Sequence, residues 1–248
     1  MQRYSSLKAL QIVSALSEAK GAVSICELCE VTGLSASTVH RILQELVECD
    51  FVTKDDGQHK YRIGFESLAL GMRLKSSDYL LSAALPEMRK LNDLTGETIH
   101  LIGEENFQAV YLGKLEAKNQ IGLRSRVGKL IPLHCTSGGK VILSYQSSEW
   151  LEQYFEQVTR TKFTERTLTR REELIEEIQR VRDQGYAMDV REHHPDIICI
   201  SAPIFRCKTE FAGAVSIAAP DYRFSEERAL SYVSALKSHT AAISARME

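Results

Sequence analysis

Between Ser5 and Ile63 the apolar residues change period once, and that change restricts the fold more than any other feature of the 248-residue chain. Ser5–Ala19 carries Leu7, Leu10, Ile12, Val13 and Leu16 at roughly helical spacing, and Gly21 is expected to stop that helix. Ser24 is placed to cap a second short helix that turns Ile25, Leu28 and Cys29 inward and ends at Gly33. Ser35 caps a third, whose inward residues Val39, Ile42, Leu43 and Leu46 fall at i, i+3, i+4 and i+7. After Asp50 the spacing shortens: Phe51–Lys54, the turn Asp55–Gly57 and Lys60–Ile63 read as a β-hairpin. Three short helices with a glycine turn between the second and third, then a hairpin, predict a winged helix-turn-helix.

That prediction makes the third helix the first candidate site. Its outward residues are Ser37, Thr38, Arg41 and Gln44, with His40 at the margin and Ser35 at its start. No acidic residue falls between Ser35 and Gln44, whereas Glu45, Glu48 and Asp50 crowd the other end. The N-terminal half of such a helix enters the major groove, so this polarity suits DNA. Arg41 is suited to read guanine, at about 1–3 kcal/mol of discrimination, and Ser37 and Thr38 to bond phosphates or base edges. Lys54, His59, Lys60 and Arg62 would arm the wing. An ordinary solvated face is the alternative, since residues 1–75 balance nine basic against nine acidic residues. The whole chain is near neutral too, at −2, so any DNA-binding charge must be local.

Residues 65–77 read as a linker helix (Phe65, Leu68, Ala69, Met72), and the rest as an α+β domain with a mostly antiparallel sheet. Helices are expected over 80–94, 137–145, 148–157, 170–184 and 225–245, and strands over 97–104, 108–116, 186–191, 197–205 and 211–218. No apolar run reaches the roughly 18–20 residues of a membrane span, and Met1–Tyr4 has no signal-peptide character, which places the chain in the cytoplasm. The six cysteines then read as free thiols, and Cys26 and Cys29, despite their C-x-x-C spacing, as small buried core residues.

Two further segments carry chemistry. In Gly128–Lys140, small residues at Thr136–Gly139 run into an apolar helix, and free amides at such a helix start attract a carboxylate. The neighbouring His134 and Cys135 raise the alternative of a thiol enzyme, with Cys135 or Cys199 as nucleophile. In Asp189–Ser201, the cluster of His193, His194 and Cys199 raises a metal-responsive alternative, although Asp189 and Cys199 equally suit the wall of a ligand pocket.

These segments together resemble the IclR-type bacterial transcriptional regulators along nearly the whole chain. The resemblance is carried by Gly33–Leu43, Tyr61–Gly64, Glu97–Leu101, Pro132–His134 leading to Gly139–Lys140, Gly185–Asp189 with Glu192, and Cys199–Phe205. It implies a winged helix over 1–64, a linker helix over 65–77 and an effector-binding, oligomerising domain of GAF-like fold over 78–248. It also implies a repressor, dimeric or tetrameric, that binds palindromic double-stranded operator DNA under control of a small carboxylate, with no cofactor, metal or enzymatic activity. The pocket it implies uses backbone amides at Ser137 and Gly138, a polar wall of Asp189, Cys199 and Ser216, and an apolar lining of Leu123, Ile131 and Ile197. The chain departs from the family pattern at Ala36, Ala218, Arg206 and the segment His193–Asp196. The contexts of His100 and Pro132–Leu133 lean towards regulators that sense sugar acids.

Overall fold

The second and third helices of the N-terminal unit begin where the sequence supplies a hydroxyl cap. In the computed structural model, which describes residues 5–55, 57, 59–77, 79–118 and 123–247, the chain divides into two compact units, 1–78 and 79–248. Asp56 of the expected turn and the Met72 side chain lie outside the described parts. The first unit comprises α1 (Ser5–Glu18), α2 (Ile25–Thr32), α3 (Ala36–Glu48), β1 (Val52–Asp55), β2 (Lys60–Ile63) and α4 (Phe65–Ser77). Ser24 starts α2 with a capping box, its hydroxyl accepting from Glu27 N while the Glu27 carboxylate accepts from Ser24 N. Gly33 ends α2 in the left-handed region at φ 69°, its amide bonding Cys29 O, and Ser35 caps α3.

The strands pair antiparallel with Val52 opposite Ile63, and Val23 bridges to Tyr61, tying the wing to the chain before α2. Ile12, Leu16, Leu28, Val39, Ile42, Leu43, Val52 and Tyr61 close the core between them. Two expectations need correction. Gly21 is not in the left-handed region and caps nothing, because α1 has already ended at Glu18. Cys26 is exposed rather than buried, since the inward stripe of α2 passes through Leu28 and the half-buried Cys29 instead.

The second unit runs α5 (Tyr79–Thr95), β3 (Thr98–Glu105), β4 (Gln108–Leu115), β5 (Leu130–Ile131), α6 (Ser137–Ser144), α7 (Ser148–Gln157) and α8 (Arg171–Gln184). It continues with β6 (Ala187–Val190), β7 (Ile197–Arg206), β8 (Glu210–Pro220), α9 (Glu226–Ser231) and α10 (Val233–Ala245). Six strands form one sheet in the order β5-β4-β3-β8-β7-β6, every neighbouring pair antiparallel. The two-residue β5 lacks the length to show a period, and the single helix expected over 225–245 is interrupted at Tyr232.

Strand alternation divides this unit into layers. Ile99 and Leu101, Ile198 and Ile200, and Val215 and Ile217 face a core shared with α5 and α10. Their sequence neighbours point the other way. His100, Cys199, Ser201, Ser216 and Ala218, with Asp189 on β6, lie on the opposite face, where α6 also packs. A second core of Ile102, Val141, Ile142, Leu143, Tyr154, Leu174, Ile178 and Val181 joins α6, α7 and α8 to that face.

Close approach of backbone to backbone sets the start of α6. A Cβ at Gly139 would stand 2.5 Å from Leu133 Cα, and one at Gly138 would strike Ile102. Gly139→Ala is therefore expected to cost about 1–3 kcal/mol, seen as a fall of several degrees in the calorimetric melting temperature. Gly21→Ala, with open space around it, is the control expected to leave the melt unchanged.

Candidate nucleic-acid interface and ligand cavity

On α3, a stripe of apolar residues faces inward and leaves Ser37, His40, Arg41 and Gln44 exposed, with Thr38 half-buried. Ser35 is committed to the helix start, its hydroxyl accepting from Thr38 N at 3.4 Å and lying 3.2 Å from the Ser37 hydroxyl. The Arg41 guanidinium bonds the Glu45 carboxylate one turn on, and Ser5 Oγ on α1 at 3.3 Å. Both members of that ion pair are about half exposed, at 55% each, so water screens it and a phosphate or base can displace it. The wing divides its cations. Lys54 is paired with the buried Tyr61 and so shares its face, whereas Lys60 and Arg62 alternate onto the other.

In the second unit, the sheet face opposite α5 and α10 meets the start of α6 around a cavity of about 560 Å³. Leu123, Ile131, Ser137, Gly138, Asp189, Ile197, Cys199 and Ser216, the eight residues singled out from the sequence, all line it. Register explains the convergence: Asp189 on β6 pairs with Cys199 on β7, Cys199 with Ala218 on β8, and His100 on β3 with Ser216 on β8.

At one end of the cavity stands the α6 N-terminus. The Thr136 hydroxyl caps the Gly139 amide at 3.2 Å and Thr136 O accepts from Lys140 N, which leaves the Ser137 and Gly138 amides without intrahelical acceptors. Two adjacent amides and the helix dipole there can hold one anionic group. The Ser137 hydroxyl lies 2.7 Å from that of Ser201.

Behind this end, Lys140 is buried and ion-paired to Glu192 at 2.7 Å and to Glu177 of α8 at 2.9 Å; Arg180 also pairs with Glu177. The amides of Glu192 and His193 donate to Asp189 Oδ1 at 2.8 and 3.4 Å, and Asp189 lines the cavity. Burial, and then the Glu192 charge, push the Asp189 carboxyl up to about 7, against the lowering by those amides and Lys140.

Sequence reasoning passed over most of the wall formed by His100, Tyr111, Arg124, Ser125 and Lys129. Tyr111 was hidden by a β-bulge. Gly113 pairs with Leu101 and Tyr111 with Ile102, so Leu112 is the extra residue, and it shifts Tyr111 from the α5 side to the cavity side. The segment carrying Ser125 has no period to read, and only contact with the sheet reveals its place.

The thiol and metal alternatives find no support in the geometry. Burial pushes both the Cys135 and Cys199 thiols up, so each stays protonated at neutral pH. His134 turns its Nε2–H to Thr161 O at 2.9 Å instead of activating Cys135. His193, held low at about 4 chiefly by burial, packs against Phe163, and His194 leans towards Asp196. Among the described residues no group of three or more His, Cys, Asp or Glu side chains is placed to hold a metal ion, and no helix is long and apolar enough to cross a membrane.

Comparison with known proteins agrees with both halves of the chain. Residues 5–56 match the IclR helix-turn-helix domain and residues 73–245 the C-terminal domain of the bacterial transcriptional regulator IclR. The HTH-type transcriptional regulator KdgR of Escherichia coli is 36% identical over 245 residues, covering 98% of this chain and 92% of that protein. The HTH-type transcriptional repressor AllR of the same species is 30% identical, covering 90% and 83%. Among solved structures, the IclR protein of Thermotoga maritima superposes with a TM-score of 0.84 at 29% identity, over 98% of each chain.

The buried Asp189 has a measurable consequence. Its folded pKa of about 7 lies above the ordinary carboxyl value of about 4, so the native state favours its neutral form. Its contribution to stability is therefore full at low pH and is lost as pH rises through 7. Asp189→Asn keeps the acceptor for both amides and removes the titration. The melting temperature of wild type minus that of the variant is expected to fall between pH 5 and pH 8; a difference independent of pH would mean that Asp189 is ionised throughout.

Proposed function

The chain belongs to the IclR family of bacterial transcriptional regulators, and we propose that it is a cytoplasmic repressor whose hold on its operator is set by a small carboxylate. The observation that carries this reading is the convergence of all eight sequence-derived pocket residues on one cavity that ends at the two open amides of Ser137 and Gly138. The carboxylate sits on those amides, Asp189 in its protonated form offers a hydroxyl donor, and Leu123, Ile131 and Ile197 cover the carbon chain. Sugar acids fit the polar share of this lining, supplied by Ser216, Ser125 and Tyr111.

Operator DNA meets the N-terminal half of α3. Arg41 exchanges Glu45 for guanine or phosphate, Ser35, Ser37, Thr38, His40 and Gln44 fill the groove around it, and Lys54, Lys60 and Arg62 contact the flanking backbone. A palindromic operator calls for a symmetric dimer or tetramer. In support, the N-terminal unit exposes Leu7 and Leu10 on α1 and Phe65, Leu68 and Leu70 on α4, large apolar side chains of the kind that a partner subunit covers. The effector acts by favouring one of two states of different DNA affinity, a coupling of about 1–3 kcal/mol.

Two variants separate the sites. Arg41→Ala is expected to weaken operator binding about 5–150-fold in fluorescence anisotropy while leaving effector binding intact, the loss of one good base contact. Equal operator affinity in variant and wild type would remove Arg41 from the interface. Asp189→Ala is expected to bind the operator normally without effector and to lose the effector response. An unaltered response would take Asp189 out of the binding site.

A further inference from the structure

Between Gly21 and Thr53, a stretch that holds α2 and α3, Arg41 is the sole lysine or arginine, set against Glu27, Glu30, Glu45, Glu48 and Asp50. A segment so charged gains nothing net from neutralising phosphates. The wing cations are left to hold the DNA backbone, and α3 must be chosen by base edges.

Glu45 stands on that reading face. It follows the exposed Gln44, lies one helical turn beyond Arg41 and is about half exposed. In the free protein Arg41 balances its charge: the guanidinium bonds the Glu45 carboxylate through Nη1 and Ser5 Oγ through Nη2, the latter at 3.3 Å. Docking removes that balance. Once Arg41 turns to a guanine, α3 has no second lysine or arginine to take its place beside Glu45. The carboxylate then faces the groove as an acceptor only, with the same sign of charge as the phosphates.

Such a group is tolerated only where a base gives it a donor. In the major groove guanine shows two acceptors, and thymine an acceptor and a methyl group. Adenine sets its amino group beside the acceptor N7, whereas cytosine shows an amino group with no acceptor on the same base. Four residues of helix span about 6 Å, so this contact falls within two base steps of the guanine that Arg41 reads.

We propose that Glu45 is a second base-reading residue of α3, accepting from the N4 amino group of a cytosine within two base steps of the guanine bound by Arg41 and disfavouring duplexes that lack it. The proposal rests on the operator reading above and adds to it a residue that determines specificity.

Selection from random double-stranded DNA with the full chain, at one fixed salt concentration, tests it. Wild type is expected to enrich two G·C pairs within two steps of each other in each half-site. Arg41→Ala is expected to release one of them and Glu45→Ala the other. Glu45→Gln, whose amide donates as well as accepts, is expected to turn that second position from G·C to A·T. In fluorescence anisotropy, the preference of Glu45→Ala for the wild-type-selected duplex over a scrambled one is expected to fall about 5–150-fold, the worth of one good base contact.

A role limited to steadying α3 through its ion pair would weaken binding to both duplexes alike and leave the enriched sequence unchanged. That result, or a wild-type sequence with no second G·C pair, would overturn the Glu45 contact and leave operator binding standing. Failure of wild type to enrich any sequence would instead remove the operator reading, and the Glu45 contact with it.

Discussion

A buried ammonium must be paired or expelled, and in this chain that requirement falls on Lys140. It sits one turn into α6 with carboxylates on two sides, Glu177 from α8 and Glu192 from the segment after β6. Removing Lys140 would leave two buried carboxylates without the cation they share, so α6, α8 and the end of β6 are held in one arrangement. The same arrangement presents the Glu192 and His193 amides to Asp189 and aims the first amides of α6 into the cavity. The pocket is thus organised from behind, by an ion cluster that does not itself line it.

The close approaches at Gly138 and Gly139 complete this fit. Side chains there would separate α6 from Leu133 and Ile102, and the unpaired amides would no longer stand over the sheet. Cavity walls and helix position therefore depend on each other. An account of ligand recognition that starts at the pocket surface misses the charges and glycines that place it.

Much of this was legible in the sequence, for a physical reason that differs between the units. In the N-terminal unit each element is signalled locally: Ser24 and Ser35 cap, Gly33 takes the left-handed turn, and the Val39, Ile42 and Leu43 stripe fixes the inward face of α3. The pocket residues were named through a family resemblance, and Asp189 and Cys199 then prove to be partners in register, with Ser216 two residues along β8 from Ala218, the partner of Cys199. What stayed hidden depends on long-range geometry. The bulge at Leu112 reverses the face that alternation would give Tyr111, Ser125 is brought to His100 by a segment with no period, and Cys26 lies one residue off the buried stripe of α2.

Strand alternation has a consequence for how such a regulator changes over time. Along β3, β7 and β8 the residues that meet the ligand cavity alternate with those that build the core against α5 and α10. A substitution at Cys199, Ser216 or Ala218 alters what the cavity sees and leaves Ile198, Ile200, Val215 and Ile217 in place. Sensing and folding are written on opposite faces of the same strands, so a gene copy can drift to a new ligand by single steps without first losing its fold.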